Sequence, residues 1–349
     1  MKMLPIEEAI GHRLACDVTE VTATRVRSLL TRDTLVEERH LPALRDAGHL
    51  LVYVVDDDAE PGPHGDTLDE VAASLAIAQA LAGPHVDLRS VDAGKTFLFA
   101  DLDGVVQVDR PACDTVNQSD LALVVTRSPY AVVRAQDLVA VVDVIPLTVG
   151  APRLAGLVGA LGELGPVVQV APLKPLSVGL LVTGTEVYEG RIPDAAVAVV
   201  RAKVEQYGGR LGTVEFAPDD DTRIARLVVA LADAHDVVVV TGGMSVDPTD
   251  RTPIAIGRVA DVVLKYGLPV LPTAMSLVAV RRGTTILGVS SGIVHYRSAN
   301  VLDRLLPLVF AGLPVTREYL VQLGPGGLMP EFLADMGRGA QQAVDAASP

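Results

Sequence analysis

The chain has 349 residues, and its 29 Lys and Arg against 43 Asp and Glu leave a formal net charge of −14. No run of cations interrupts that acidity, which argues against nucleic acid and against an anionic membrane surface as partners. Hydrophobic residues make up 49% but aromatics only 3%, with no Trp, so the core must be aliphatic, built from Ala, Val and Leu. Such a composition is far from that of a disordered chain, and at roughly 150 residues per domain the length implies two or three domains.

Cys16 and Cys113 are too few for a disulfide scaffold and stand at no metal-ligand spacing. The opening MKMLPIEEAIGH places glutamates where a signal peptide would carry its apolar core. No stretch of about 20 uninterrupted apolar residues suggests a membrane span. The expectation is a soluble, cytoplasmic protein.

In chain order, residues 1–60 read as a small α+β unit. It has a short helix around Pro5–Ile10, a strand over Leu14–Val21, a helix over Leu41–Gly48 and a strand over His49–Val55. The acidic, Pro- and Gly-rich Asp56–Asp66 has turn and linker chemistry and marks a boundary. Residues 66–172 read as a β-rich unit with helices. Leu68, Val71, Leu75 and Ala78 recur at helical spacing over Asp66–Leu81. Thr96–Ala100 and Val105–Val108 flank a hairpin-like Asp101–Gly104, and strand runs follow at Leu121–Val125 and Val139–Leu147. Gly150–Leu173 reads as a docking helix or a connector.

From residue 173 to 314 strands and helices alternate. Val178–Val182, Arg210–Phe216 and Asp236–Val240 are strands, and the unbroken apolar runs suit strands covered on both faces. Helices fall over Pro193–Tyr207 and after Asp219–Asp221, with Ile224, Leu227, Val228 and Leu231 on one stripe. Further strands are expected at Asp261–Leu264, Ser276–Val280 and Thr284–Val289, and a helix from Tyr296 to Phe310. The pattern predicts an α/β fold with a mostly parallel sheet and helices on both faces, preceded by the smaller α+β and β-rich units. Residues 315–349, rich in Gly, Ala and Gln, read as a mobile tail.

In open α/β sheets, ligands bind beyond the carboxyl ends of strands. Two loops fall there: Thr183-Gly184-Thr185-Glu186 and Thr241-Gly242-Gly243-Met244-Ser245. Glycines admit close backbone approach, and free N–H groups suit an anionic oxygen, so an acidic protein can hold a phosphate without a basic patch. Glu186, Asp220, Asp247 and Asp250 lie in or beside these loops and are the oxygen donors Mg²⁺ prefers. Asp219–Asp221 equally suit a helix start, as Asp250 does before Arg251-Thr252-Pro253. The seven His residues form no metal motif, and there is no Walker loop, no GxGxxG after a strand and no nucleophile elbow.

Taken together, LLVTGTEVYEGRIPDA (Leu180–Ala195), APDD (Ala217–Asp220) and DVVVVTGGMSVDPTD (Asp236–Asp250) resemble the molybdopterin-binding domain of molybdenum-cofactor biosynthesis proteins, over Pro175 to Leu313. That domain occurs in molybdopterin molybdotransferases and adenylyltransferases. PIEEAIGHRLACDVTEV (Pro5–Val21) resembles the opening of the molybdotransferase, and the GGMSVDPTDRTP form looks like a stand-alone molybdopterin-binding subgroup. The resemblance implies an α/β sheet whose strand-end loops bind the pterin's phosphate. The implied contacts are Thr183, Gly184, Glu186, Gly242, Gly243, Met244, Ser245 and Ser291, with Asp220, Asp247 and Asp250 as Mg²⁺ positions. It implies molybdopterin and Mg²⁺ as cofactors, a homo-oligomer, and molybdoenzymes or cofactor-biosynthesis proteins as partners.

The chain also departs from that pattern. Thr185 replaces the usual acid or amide of Thr-Gly-Asp/Asn-Glu, Pro248 takes a position commonly held by Asp, and the downstream Pro-Gly loops become Leu271-Pro272-Thr273-Ala274 and Gly288-Val289-Ser290-Ser291-Gly292. The first expectation is therefore cofactor binding in delivery, storage or sensing. The alternatives are a Mg²⁺-dependent transferase that adenylylates molybdopterin or inserts molybdate, a nucleotide pyrophosphatase-like relative of competence-damage proteins, and a non-binding scaffold with a vestigial site.

Overall fold

The computed structural model describes residues 1–55, 67–91, 94–245 and 250–337. The chain divides into two compact units: Met1–Phe99 with Val108–Arg127 and Asp137–Gln169, and Ala100–Gln107 with Ser128–Gln136 and Val170–Pro349.

The first unit begins with two antiparallel pairs, Lys2–Pro5 with Leu51–Val54 and Val18–Val21 with Val26–Leu30. Leu4, Ile6, Leu14, Val36, Leu44, Val52 and Val54 close a core beneath them. The expected helix at Pro5–Ile10 is a run of turns, in which Ile6 and Ala9 still reach full burial. The strand expected at Leu14–Val21 shortens to Val18–Val21, and its partner was hidden by Arg27 and Ser28. The expected linker, 56–66, lies outside the described residues.

Helix Glu70–Leu81 follows, with Asp69 accepting the Ala72 N–H as its cap. A four-stranded sheet runs in the order Val86–Val91, Lys95–Ala100, Leu138–Val144, Ala122–Thr126. The hairpin expected around Asp101–Gly104 does not form. Lys95–Ala100 pairs with Leu138–Val144, whereas Gly104–Val108 pairs with Val132–Val133 in another sheet. The turn chemistry is genuine, but the chain changes sheets there. Two further elements were not expected: helix Arg110–Asn117, capped by Asp109, and strand Val168–Pro172 after helix Ala151–Leu164. Cys16 and Cys113 are free and half-buried, and burial pushes both thiols up. No helix among the described residues is long and apolar enough to cross a membrane.

The second unit is an α/β domain. Its elements are β1 (Ser177–Thr183), α1 (Ala196–Gln206), β2 (Arg210–Ala217), α2 (Asp221–Ala234), β3 (Val237–Thr241), α3 (Thr252–Val259), β4 (Val262–Tyr266), β5 (Leu277–Arg281), β6 (Thr284–Val289), α4 (Leu302–Phe310) and α5 (Arg317–Gln322). The sheet runs β2-β1-β3-β6-β5-β4, with β2, β1, β3 and β6 mutually parallel and β5 antiparallel to both its neighbours. Strand alternation divides the apolar residues between two faces. Val178, Leu180 and Val182 meet Val200 and Val204 of α1 and Leu302, Leu305 and Leu306 of α4. Leu181, Val238 and Val240 meet Ile224, Val228 and Leu231 of α2 and Ile256 of α3. Helices on both faces explain why β1 and β3 read as continuous apolar runs.

Between α1 and α4, the buried Lys203 ammonium donates to both Asp303 oxygens, at 2.7 and 2.8 Å, and Tyr207 donates to Asp303 at 2.7 Å. Burial, with the Asp303 charge second, pushes the Tyr207 hydroxyl far up and keeps it a donor. The chain does not turn mobile at residue 315. Thr316 caps α5, Leu320, Leu323 and Met329 are buried in the domain core, and Leu271 bridges Leu328. Scattered apolar residues find slots that a Gly-rich composition conceals, while residues 338–349 lie outside the described residues.

Candidate active-site crevice at the strand ends

After β1 the chain moves out to β2 on one side, whereas β3 joins β1 on the other. Such a reversal opens a crevice beyond the carboxyl ends of the two central strands. Thr183-Gly184 leaves β1 there, Thr241-Gly242-Gly243 leaves β3, and Ser290-Ser291 leaves the parallel β6 beside it.

Gly242 is required by contact as well as by conformation. Its φ is +97°, and a Cβ there would stand 2.1 Å from the Thr183 carbonyl oxygen. Gly243 has φ +55°, and its Cβ position is ringed by Thr252 Oγ1 at 2.9 Å and by Asp219 Oδ1 and Thr183 Oγ1 at 3.4 Å. Thr252, fully buried at the start of α3, fastens the turn: its hydroxyl donates to the Gly242 carbonyl at 2.9 Å and its N–H to the Gly243 carbonyl at 3.2 Å. Thr183, 4% exposed, donates to the Thr241 carbonyl at 3.2 Å and lies 3.0 Å from the Thr252 hydroxyl. With the carbonyls turned inward, the N–H groups of Gly243 and Met244 find no acceptor among the described residues. The Thr241 hydroxyl, on a residue 1% exposed, is likewise buried without a partner. Unpaired donors at a buried strand end are costly to leave unsatisfied, and a phosphate oxygen is a suitable acceptor for them.

The carboxylates are arranged differently from expectation. Asp220 is exposed and caps α2, accepting the Arg223 N–H at 2.8 Å. Asp219 is the acid that turns back into the crevice, its Oδ2 accepting both the N–H and the hydroxyl of Thr185 at 2.9 Å. The sequence shows three consecutive acids ahead of the stripe Ile224, Leu227, Val228 and Leu231, and that stripe does not decide which of them is the cap and which turns back. Asp250 accepts the Ser245 N–H at 2.7 Å and also its hydroxyl. Asp247 lies outside the described residues. Glu186 is exposed on the short helical turn Thr185–Tyr188.

Met244 does not present its side chain to the crevice. It is 2% exposed and packs in the core under Gly288, because the reversed turn directs it inward. Its carbonyl accepts the Tyr266 hydroxyl at 2.8 Å, and burial, aided by the Asp250 charge, pushes that phenol up. Ser291 is exposed at the first position of the turn Ser291–Val294. Beside it Thr273 adopts φ +76°, accepts the Val301 N–H at 3.2 Å and lies 3.5 Å from where a Gly292 Cβ would stand. The structure thus brings together Thr183, Gly184, Gly242 and Gly243, with Asp219, Thr185 and Thr252 added. The donor set fits a phosphate. Among the described residues no group of three or more His, Cys, Asp or Glu is arranged to hold a metal ion.

Residues 179–314 match a family described as a probable molybdopterin binding domain, and residues 3–56 match a domain of unknown function. The molybdopterin molybdenumtransferase of Staphylococcus aureus (strain Mu50) is 28% identical over 129 residues, which are 35% of this chain and 31% of that protein. A CinA-like protein of Syntrophus aciditrophicus is 29% identical over 83 residues, 24% of this chain and 20% of its own length. The matches therefore span a third or less of these curated relatives. Among solved structures, the molybdopterin biosynthesis enzyme MoaB of Thermus thermophilus is 21% identical with a TM-score of 0.34, covering 42% of this chain and 97% of its own.

Proposed function

We propose, from the premise that residues 179–314 are a domain of the molybdopterin-binding family, that this domain holds molybdopterin by its phosphate at the Gly242-Gly243 turn, in delivery, storage or sensing of the cofactor. The observation that carries the reading is the turn itself. Its carbonyls are occupied by Thr252, its Cβ positions are filled, and the Gly243 and Met244 N–H groups are left for an anion. The Thr241 hydroxyl supplies a further donor at the same strand end. Gly184 takes φ +135° in the β1 loop, with open space where a Cβ would stand, and Ser245 and Ser291 are exposed in the loops after β3 and β6.

The bound group would supply a dithiolene for metal and a pterin ring. The chain's own part is to bind and orient the phosphate and to exclude water from the buried hydroxyls. The partners that suit this role are proteins that make or consume the cofactor, and a homo-oligomer is the assembly proposed. Calorimetric titration of the full chain with molybdopterin, and in parallel with the dephosphorylated pterin, tests the reading. Saturable binding at micromolar concentration, about a hundredfold weaker without the phosphate, is expected. Equal affinity for both forms, or no heat with either, would overturn it.

A further inference from the structure

We propose that this crevice takes its phosphate ligand without a divalent cation, and that Thr185 is the positioning residue that makes it so; the inference rests on the phosphate-binding reading above. Mg²⁺ is bound by free carboxylate oxygens converging with substrate oxygens. Among the described residues, Asp219, Asp220 and Asp250 each give an oxygen to fastening a loop or capping a helix. Asp219 Oδ2 has both lone pairs filled, by the Thr185 N–H and by the Thr185 hydroxyl, each at 2.9 Å. The Asp219 N–H returns a bond to the same hydroxyl at 3.2 Å, so Thr185 and Asp219 close a ring that ties the loop after β1 to the loop after β2. The remaining oxygen, Oδ1, faces the back of Gly243, 3.4 Å from its Cβ position. Asp220 is engaged by the Arg223 N–H, and Asp250 Oδ2 by Ser245.

A neutral hydroxyl at position 185 thus holds the two loops together with no bridging cation between them. An acid at that position would face Asp219 directly. Two carboxylates so placed repel each other and share either a proton or a cation. The cost of the hydroxyl arrangement is that no positive charge is brought to the phosphate, so surface acids such as Asp220 weaken binding by ordinary repulsion. That repulsion is screened by any salt and needs no particular ion.

The test measures molybdopterin affinity of the full chain in chelator and in MgCl₂, with NaCl matching the ionic strength. It adds a titration with Mn²⁺ alone, followed by electron paramagnetic resonance. The wild-type chain is expected to bind molybdopterin equally in the two buffers, within about twofold, and to leave Mn²⁺ free up to millimolar concentration. Thr185→Asp is expected to bind at least about tenfold tighter with Mg²⁺ than without it and to diminish the free Mn²⁺ signal by binding the ion. Thr185→Asn, which keeps a neutral donor, is expected to stay indifferent to Mg²⁺. If Thr185→Asp does not fold, the wild-type and Thr185→Asn arms still decide. Tightening of tenfold or more by Mg²⁺ in the wild type, or micromolar binding of Mn²⁺ alone, would overturn the proposal. Absence of molybdopterin binding in both buffers would instead defeat the phosphate reading, with the Mn²⁺ arm still judging this one.

Discussion

At the amino edge of the six-stranded sheet, Gly179 of β1 and Gly212 of β2 make room for one side chain. A Cβ on Gly179 would stand 2.7 Å from the His235 ring, and one on Gly212 would stand 2.4 Å from it. At the carboxyl edge, Gly242 gives way to backbone: its Cβ would meet the Thr183 carbonyl oxygen, and its φ of +97° is one L side chains rarely adopt. The first pair of glycines is a packing solution, filled by the protein itself. The second is a conformational one, which leaves the Gly243 and Met244 N–H groups without an acceptor among the described residues. A glycine after a buried strand therefore carries different information from a glycine within it, and the proposed phosphate site rests on the former.

The largest expected effect separates these two kinds. Gly242→Ala sets a methyl against a carbonyl and strains the backbone, which should cost about 3 kcal/mol in urea unfolding and abolish molybdopterin binding. Gly212→Ala should cost about 2 kcal/mol by overpacking against His235 while leaving affinity unchanged. The double change Gly212→Ala with His235→Ala sharpens the comparison: about half of the loss should be recovered, giving a coupling of about 1 kcal/mol in the cycle. A Gly212→Ala cost that His235→Ala does not relieve would show that the notch is not what fixes the glycine.

Thr273 offers an intermediate case at the carboxyl edge, a β-branched residue at φ +76°. Thr273→Gly relieves the backbone but removes the acceptor of the Val301 N–H, so stability should change by no more than about 1 kcal/mol. The smallest effect belongs to the amino edge, where the Ser177 hydroxyl and N–H donate to Asp236 and hold its carboxyl below the usual carboxylate range. A depressed carboxylate stabilises the fold above its unfolded pKa and loses that contribution as pH falls through the folded one. Ser177→Ala should therefore move the acid limb of the unfolding curve upward by less than about one pH unit, below about pH 4.

The legibility of the sequence follows the range of the interactions. The strands Thr284–Val289 and Val237–Thr241 and the stripe of α2 were readable because burial on both faces and helical phase are written locally. The Asp101–Gly104 turn was misread because pairing is a long-range choice, and its flanking strands go to different sheets. Helix Arg110–Asn117 escaped notice because eight residues with a Pro carry little periodicity. At the crevice, the Gly242-Gly243 loop was visible by composition. The turning back of Asp219 toward Thr185 was not, since it depends on which of three consecutive acids the helix takes as its cap. Met244 read as a loop residue and proved to be a core residue because the reversed turn swings it under Gly288.

The most direct measurement is the movement of backbone amide resonances in the ¹⁵N-labelled full chain on titration with molybdopterin. The account predicts the largest shifts at Gly243 and Met244, with smaller ones at Gly184 and Ser291 and none at Gly179 or Gly212. Shifts concentrated at Gly179 and Gly212, or no shift at Gly243 while the ligand saturates, would contradict it.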